Sequence, residues 1–287
     1  MEAILTMAKS VNLVSPLLSG IKDERFFFSY GEEIVDVSSF DTSYWMAGAF
    51  AVKLREAGLA QNLCSPGSEW LSELPIELTG RTISEGNLDA LESVSGEVWL
   101  KPSEAKIADL PAGKYVYSQV RDVFAKNDFS NNISLQWTHD IIRMNYEHRF
   151  FVLDGEILTG SPYLVDGMGY HKGIDTSKQH DAKEFAQFVL DNIDTPIAFT
   201  LDVAFDMDKE RWLVIEGNRA WSSGLYGCDP QLALQSIKAS CHSDDPLWAW
   251  KPDRHIEDIS KTYTPLVVSK LEMLDQLTGC LEFIGRN

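Results

Sequence analysis

Apolar and polar positions alternate most regularly between Ile197 and Asn218. Ile197, Phe199, Leu201, Val203 and Phe205 fall on one side of an extended strand, and Ala198, Thr200, Asp202 and Ala204 on the other. A polar run, Asp206 to Glu210, separates this strand from Trp212-Leu213-Val214-Ile215, so the stretch predicts an antiparallel hairpin. A second hairpin is expected where Arg149 to Leu153 meets Glu156 to Thr159 across Asp154-Gly155, a pair suited to the positive φ values of a type I′ turn. Shorter apolar runs predict strands at Phe26–Phe28, Ile34–Val37, Val98–Pro102, Tyr115–Val120 and Ile133–Trp137. Helical spacing marks Ser43–Ala57, with Trp45, Met46, Ala49, Phe50 and Leu54 on one stripe, Asp41 or Ser43 as N-cap and Gly58 at the C-cap. Further helices are expected at Asp181–Asn192, with Phe185, Phe188 and Val189 inward, and at Pro230–Ala239. The aromatic segment Asp245–Pro252 reads as packing on the core, with base or sugar stacking as its second reading.

This order of elements divides the chain into three lobes of an α+β protein. Residues 1–90 read as an α/β lobe, 95–170 as a lobe of mostly antiparallel sheet, and 171–287 as a mixed lobe carrying the acidic hairpin. The polar stretch Thr79–Asn87 marks the first boundary. Neither an internal repeat nor a low-complexity tract interrupts the pattern.

Charge narrows the partners. A net charge of −18 repels a phosphate backbone, so nucleic acid is not an expected partner, and the same field favours an amine-bearing substrate. No apolar run is long enough to span a bilayer and the opening segment does not read as a secretion signal, so the expected location is the cytoplasm, with no membrane partner. Cys64, Cys228, Cys241 and Cys280 form no CxxC pair and read as reduced, mostly buried thiols. The six histidines show no metal or triad spacing, and no GxSxG is present. Gly167–Gly173 fits neither a dinucleotide fingerprint nor a P-loop, and reads as a surface loop rather than a closing flap.

The candidate chemistry sits on the acidic hairpin. An odd loop would place Asp202 opposite Glu216 with Cβ atoms roughly 5 Å apart. Glu216 and Asn218 share a face in any register. Two carboxylates that close raise each other's pKa unless a cation lies between them, and carboxylates with an amide oxygen suit Mg²⁺. A solvated hairpin face is the plainer alternative. Lys101, fixed at the end of an apolar strand by Pro102, is placed to meet a phosphate as a point charge. Arg149 could bind two phosphoryl oxygens through its fork, or pair with Glu147 across the sheet.

Taken together, Asp-Val-Ala, a short turn, an apolar strand ending Glu-x-Asn, the Gly-Leu-Tyr-Gly segment at 224–227, the Lys-Pro strand end and the Glu147-His148-Arg149 strand resemble the ATP-grasp enzymes, most closely their small bacterial and phage ligases. The resemblance implies the ATP-grasp fold, two α+β lobes gripping a nucleotide, behind an N-terminal α/β lobe. It implies ATP and Mg²⁺ as cofactors, with Asp202, Glu216 and Asn218 holding the metal. Lys101 and Lys106 would contact the ATP phosphates, Arg149 the transferred phosphoryl group, and Gln136, Trp137 and Thr138 the adenine at the hinge. Arg219 and the loop from Trp221 to Tyr226 are expected to line the pocket for a carboxylate substrate. The segment Ala108–Gly113 departs from the family in lacking its denser glycine loop. The implied activity is an ADP-forming carboxylate–amine ligase that makes an amide through an acyl phosphate, with Lys101, Arg149 and Arg219 as the catalytic side chains. A nucleotide-binding protein without turnover, a phosphotransferase and a calcium-dependent binding module are the alternatives.

Overall fold

The computed structural model describes residues 2–7, 25–29, 33–35, 41–169, 177–263 and 267–269. At its N-terminal end, β1 (Glu2–Met7) lies in parallel between β2 (Arg25–Ser29) and β4 (Asp41–Trp45), while β3 (Glu33–Val35) pairs in parallel with a strand at Val267–Ser269. The helix expected from Ser43 begins only at Gly48 and ends at Glu56. Ser43, Tyr44 and Trp45 belong to β4 instead, and Ala47 precedes the helix without a side-chain cap. The four residues Thr42 to Trp45 are all buried, so the strand shows no alternation that would separate it from the helical stripe behind it. Phe50 and Leu54 do face inward, against Trp221, Trp250 and Ile256.

A four-stranded antiparallel sheet follows, ordered β5 (Ser84–Gly86), β8 (Leu135–Thr138), β6 (Val98–Pro102), β7 (Gly113–Tyr115). The polar stretch Thr79–Asn87 therefore contributes a strand to this sheet, since β5 pairs with β8. Tyr117–Asn127 is a helix rather than a continuation of the strand at Tyr115. Val120 and Phe124, four residues apart, pack with Leu100, Leu135 and Trp137, and the Gln119 side chain accepts the Val116 N–H at the helix start.

The second sheet has five antiparallel strands in the order β11 (Met168–Gly169), β10 (Glu156–Val165), β9 (Met144–Leu153), β12 (Ala198–Asp206), β13 (Arg211–Asn218). The Asp154-Gly155 hairpin joins this sheet, because β9 pairs with β12. Its two turn residues have φ of 50° and 75°, as the sequence predicts. One face packs on Trp70, Leu71, Leu74 and Leu78 and on the helix Ser177–Asn192 through Ala182, Ala186 and Val189. Phe188 of that helix points outward, 55% exposed. The other face is covered by Ala233, Leu234 and Ile237 of the helix Pro230–Ala239, whose start Asp229 caps. With both faces covered, β12 is buried almost throughout, and its polar members must find partners inside.

Cys64, Cys228 and Cys241 are buried free thiols, and Cys280 lies outside the described residues, as do Tyr170 to Gly173 of the glycine-rich loop. No helix among the described residues is long and apolar enough to cross a membrane.

Candidate active site

The two sheets meet where β6 ends beside the end of β13. On β6, Val98, Leu100 and Pro102 face the core, which turns Trp99 and Lys101 to the opposite face. Lys101 Nζ donates to Glu216 Oε1 at 2.6 Å. Asp202 and Glu216 are direct cross-strand partners because a bulge between Asp202 and Val203 shifts the register by one residue. Gly217 lies between Glu216 and Asn218 and packs flat on Trp70, where a Cβ would come within 2.7 Å of the indole.

Asn218 links the two carboxylates. Its Nδ2 donates to Glu216 Oε2 at 2.9 Å and to Asp202 Oδ2 at 3.2 Å. Asp202, fully buried, accepts a two-point grip from Arg149, Nε to Oδ1 at 2.8 Å and Nη2 to Oδ2 at 2.6 Å. Arg149 rather than Glu147 thus pairs with an acid of the next strand, as the register Asp202↔Arg149 dictates. Cations and acids alternate from Lys101 through Glu216, Asn218 and Asp202 to Arg149. Burial alone would make Arg149 easier to deprotonate, but the Asp202 carboxylate outweighs it and holds the guanidinium charged. Burial also works against the charge of Glu216, yet Lys101 and then Asn218 pull its pKa down to about 2. Glu147, on the same face of β9 as Arg149, is pushed up by burial and further by Asp202 and Glu216, with the Tyr163 hydroxyl opposing.

Arg149 also carries two aromatic rings. Its guanidinium lies 5.7 Å from the Tyr163 centroid and 5.1 Å from that of Tyr226, and the two rings stack on each other at 4.8 Å. The loop after β13 is held there by Arg149 Nη1 to Gly224 O, by Gly227 N to Ser161 Oγ and by Asp229 N to Thr159 Oγ1. Tyr163 and Tyr226 carry no individual sequence signal, since their meeting joins β10 to a loop more than sixty residues on.

Other expected site residues stand apart from this cluster. Lys106 is exposed on the loop after β6. Gln136, though paired with Lys101 across the ladder, turns its side-chain Nε2 to Ser68 O at 2.6 Å. Trp137 lies in the core of the four-stranded sheet, and Thr138 Oγ1 accepts the Asp140 N–H. Arg219 points to Glu104, with Nη1 to Oε2 and Nη2 to the backbone O, both at 2.9 Å. Trp99, 38% exposed on the same strand face as Lys101, is an aromatic that the sequence reading passed over. Its signal is its place two residues before Lys101 on an alternating strand.

Asp202, Glu216 and Asn218 offer an oxygen donor set whose chemistry fits a hard divalent ion. The fit is uneven, because Asp202 is sealed and both its oxygens are held by Arg149, whereas the Glu216 and Lys101 side chains are 33% and 22% exposed. Among the described residues no three Asp, Glu, His or Cys side chains gather as a metal set.

A family model for the ATP-grasp domain, the second family of its clade, matches residues 78–236, more than half of the chain. The fold is similar to that of D-alanine–D-alanine ligase from Bacillus anthracis, with 11% identity, a TM-score of 0.53, and coverage of 84% of this chain and 97% of that one. D-cycloserine synthetase DcsG is similar at 14% identity and a TM-score of 0.51, covering 84% of this chain and 98% of that one. No curated protein sequence matches the chain.

Proposed function

Because the chain belongs to the ATP-grasp family, we propose that it is an ATP-dependent carboxylate–amine ligase that releases ADP and phosphate. The observation that carries this reading is the meeting of Lys101 and Arg149, from two different sheets, at the paired acids Asp202 and Glu216. On this reading Lys101 exchanges Glu216 for a nucleotide phosphate. Arg149, anchored on Asp202 and stacked by Tyr163 and Tyr226, presents its remaining N–H edge to the phosphoryl group or to the acyl phosphate made from it. A fixed guanidinium neutralises charge as it moves between oxygens and costs no reorganisation at that moment. Mg²⁺, supplied with ATP, would be held by Glu216 and Asn218 above Asp202 and would offset phosphate charge. Trp99 is assigned to the adenine face, Lys106 to a more distant phosphate, and Gln136 and Thr138 to the strand backbone beside the base. The amide product requires a carboxylate and an amine, and the acidic surface favours the amine.

Thermal unfolding with Mg²⁺, Ca²⁺, ATP, and ATP plus Mg²⁺ tests this assignment. A ligand at about 100 times its Kd adds roughly 2.7 kcal/mol to the native state. Stabilisation by ATP plus Mg²⁺, lost in Glu216→Gln, is expected. Stabilisation by Ca²⁺ alone, with none from ATP, would replace this reading with a calcium-binding one.

A further inference from the structure

Arg219 and Glu104 form a second ion pair between the two sheets, three residues beyond Lys101 on one chain segment and three beyond Glu216 on the other. Their side chains are only 13% and 9% exposed, far less than those of the Lys101–Glu216 pair. Arg219 grips both the carboxylate and the backbone carbonyl of Glu104, so it fixes the chain as well as the side chain. The guanidinium is itself held between Trp221 and Trp250, at 5.3 and 5.7 Å from their centroids. On the other side, Ser103 is bonded to Ser134 of the neighbouring chain segment through both backbone and hydroxyl. Burial raises the pKa of Glu104, Arg219 opposes it, and the nearby acids Asp253 and Glu85 raise it further. Without Arg219 these three acids would converge uncompensated by its charge, and the chain after Lys101 would lose its anchor.

We infer that Arg219 and Glu104 are positioning residues, which hold the end of β6 so that Lys101 stands at phosphate distance from the acids of β13. Arg219 then acts through Lys101 and does not touch a substrate carboxylate. The inference rests on the nucleotide-site reading above.

A double-mutant cycle on the full chain tests it, with AMP-PNP plus Mg²⁺ titrated calorimetrically into wild type, Arg219→Met, Lys101→Met and the double variant. Arg219→Met is expected to weaken the nucleotide roughly tenfold, and the double variant to bind no more weakly than Lys101→Met alone, within the coupling range of residues sharing a network. Glu104→Gln keeps the shape, relieves the acid–acid repulsion and removes the ion pair, so it repeats the measurement should Arg219→Met fold poorly. Its coupling to Lys101→Met is expected to have the same sign. Additive losses in the cycle, or nucleotide affinity untouched by either variant, would overturn the positioning role alone. A wild-type chain that binds no AMP-PNP would overturn the nucleotide-site reading and this inference with it.

Discussion

Arg149 and Asp202 show how one residue pair is both an asset and a liability. Each is buried, and each is tolerated only because the other is present. Arg149→Met should therefore destabilise by about 3–5 kcal/mol, since it strands a buried carboxylate, while Arg149→Met combined with Asp202→Leu should recover a large part of that loss in denaturant titrations. His148, next to Arg149 on the opposite face of β9, has no such partner. Both ring nitrogens are buried without a hydrogen bond, between the face of Phe150 and the edge of Trp212. Burial lowers its pKa from 6.5 to about 4. The unfolded chain takes up a proton as pH falls through 6.5 and the folded chain does not until about 4, so stability is complete above the first value and declines between the two. A loss of about 3 kcal/mol over that window is expected, and His148→Phe should flatten that part of the stability curve. A wild-type curve level from pH 7 to about 4.5 would show that the ring finds a partner in solution.

At the scale of the element, β13 is shaped for the site by what it lacks. Gly217 leaves room for Trp70 and so lets Glu216 and Asn218 lie on the other face without a bend. Gly217→Ala should force the indole or the strand to shift, costing about 1–3 kcal/mol and weakening nucleotide binding together with stability. An unchanged melting temperature would mean that Trp70 yields freely. The bulge in the hairpin does the complementary work of setting Asp202 opposite Glu216. Alternation showed that a hairpin exists, but a one-residue shift in register flips every side chain, and the sequence does not carry that count. The misread stretches, Ser43–Trp45 and Tyr117–Val120, failed for a related reason. Short apolar runs fit either period until their neighbours decide.

The whole molecule carries a charge of −18, with Lys101 and Arg149 set at one small opening between the sheets. Like-charge repulsion should slow the approach of a nucleotide at low salt. Raising ionic strength from about 0.01 M to 0.15 M shortens the screening length to roughly 8 Å and should speed nucleotide association in stopped-flow measurements. A rate that falls with salt would mean that the local cations govern the encounter. The cluster itself depends on the same global arrangement, since Lys101 and Glu216 are separated by 115 positions and Arg149 and Asp202 by 53.

The sequence by itself determined the two hairpins, the acids on them, the lysine at a strand end and the family likeness, because these are local patterns of alternation, turn chemistry and short spacing. Tertiary structure alone decided which cation meets which acid. Arg149 goes to Asp202 because β9 is the strand beside β12, Lys101 goes to Glu216 because two sheets meet at that corner, and Arg219 is drawn to Glu104 by the buried acids around it. Pairing of charges follows distance in space, and in this chain those distances are set by sheet order, which no local stretch encodes.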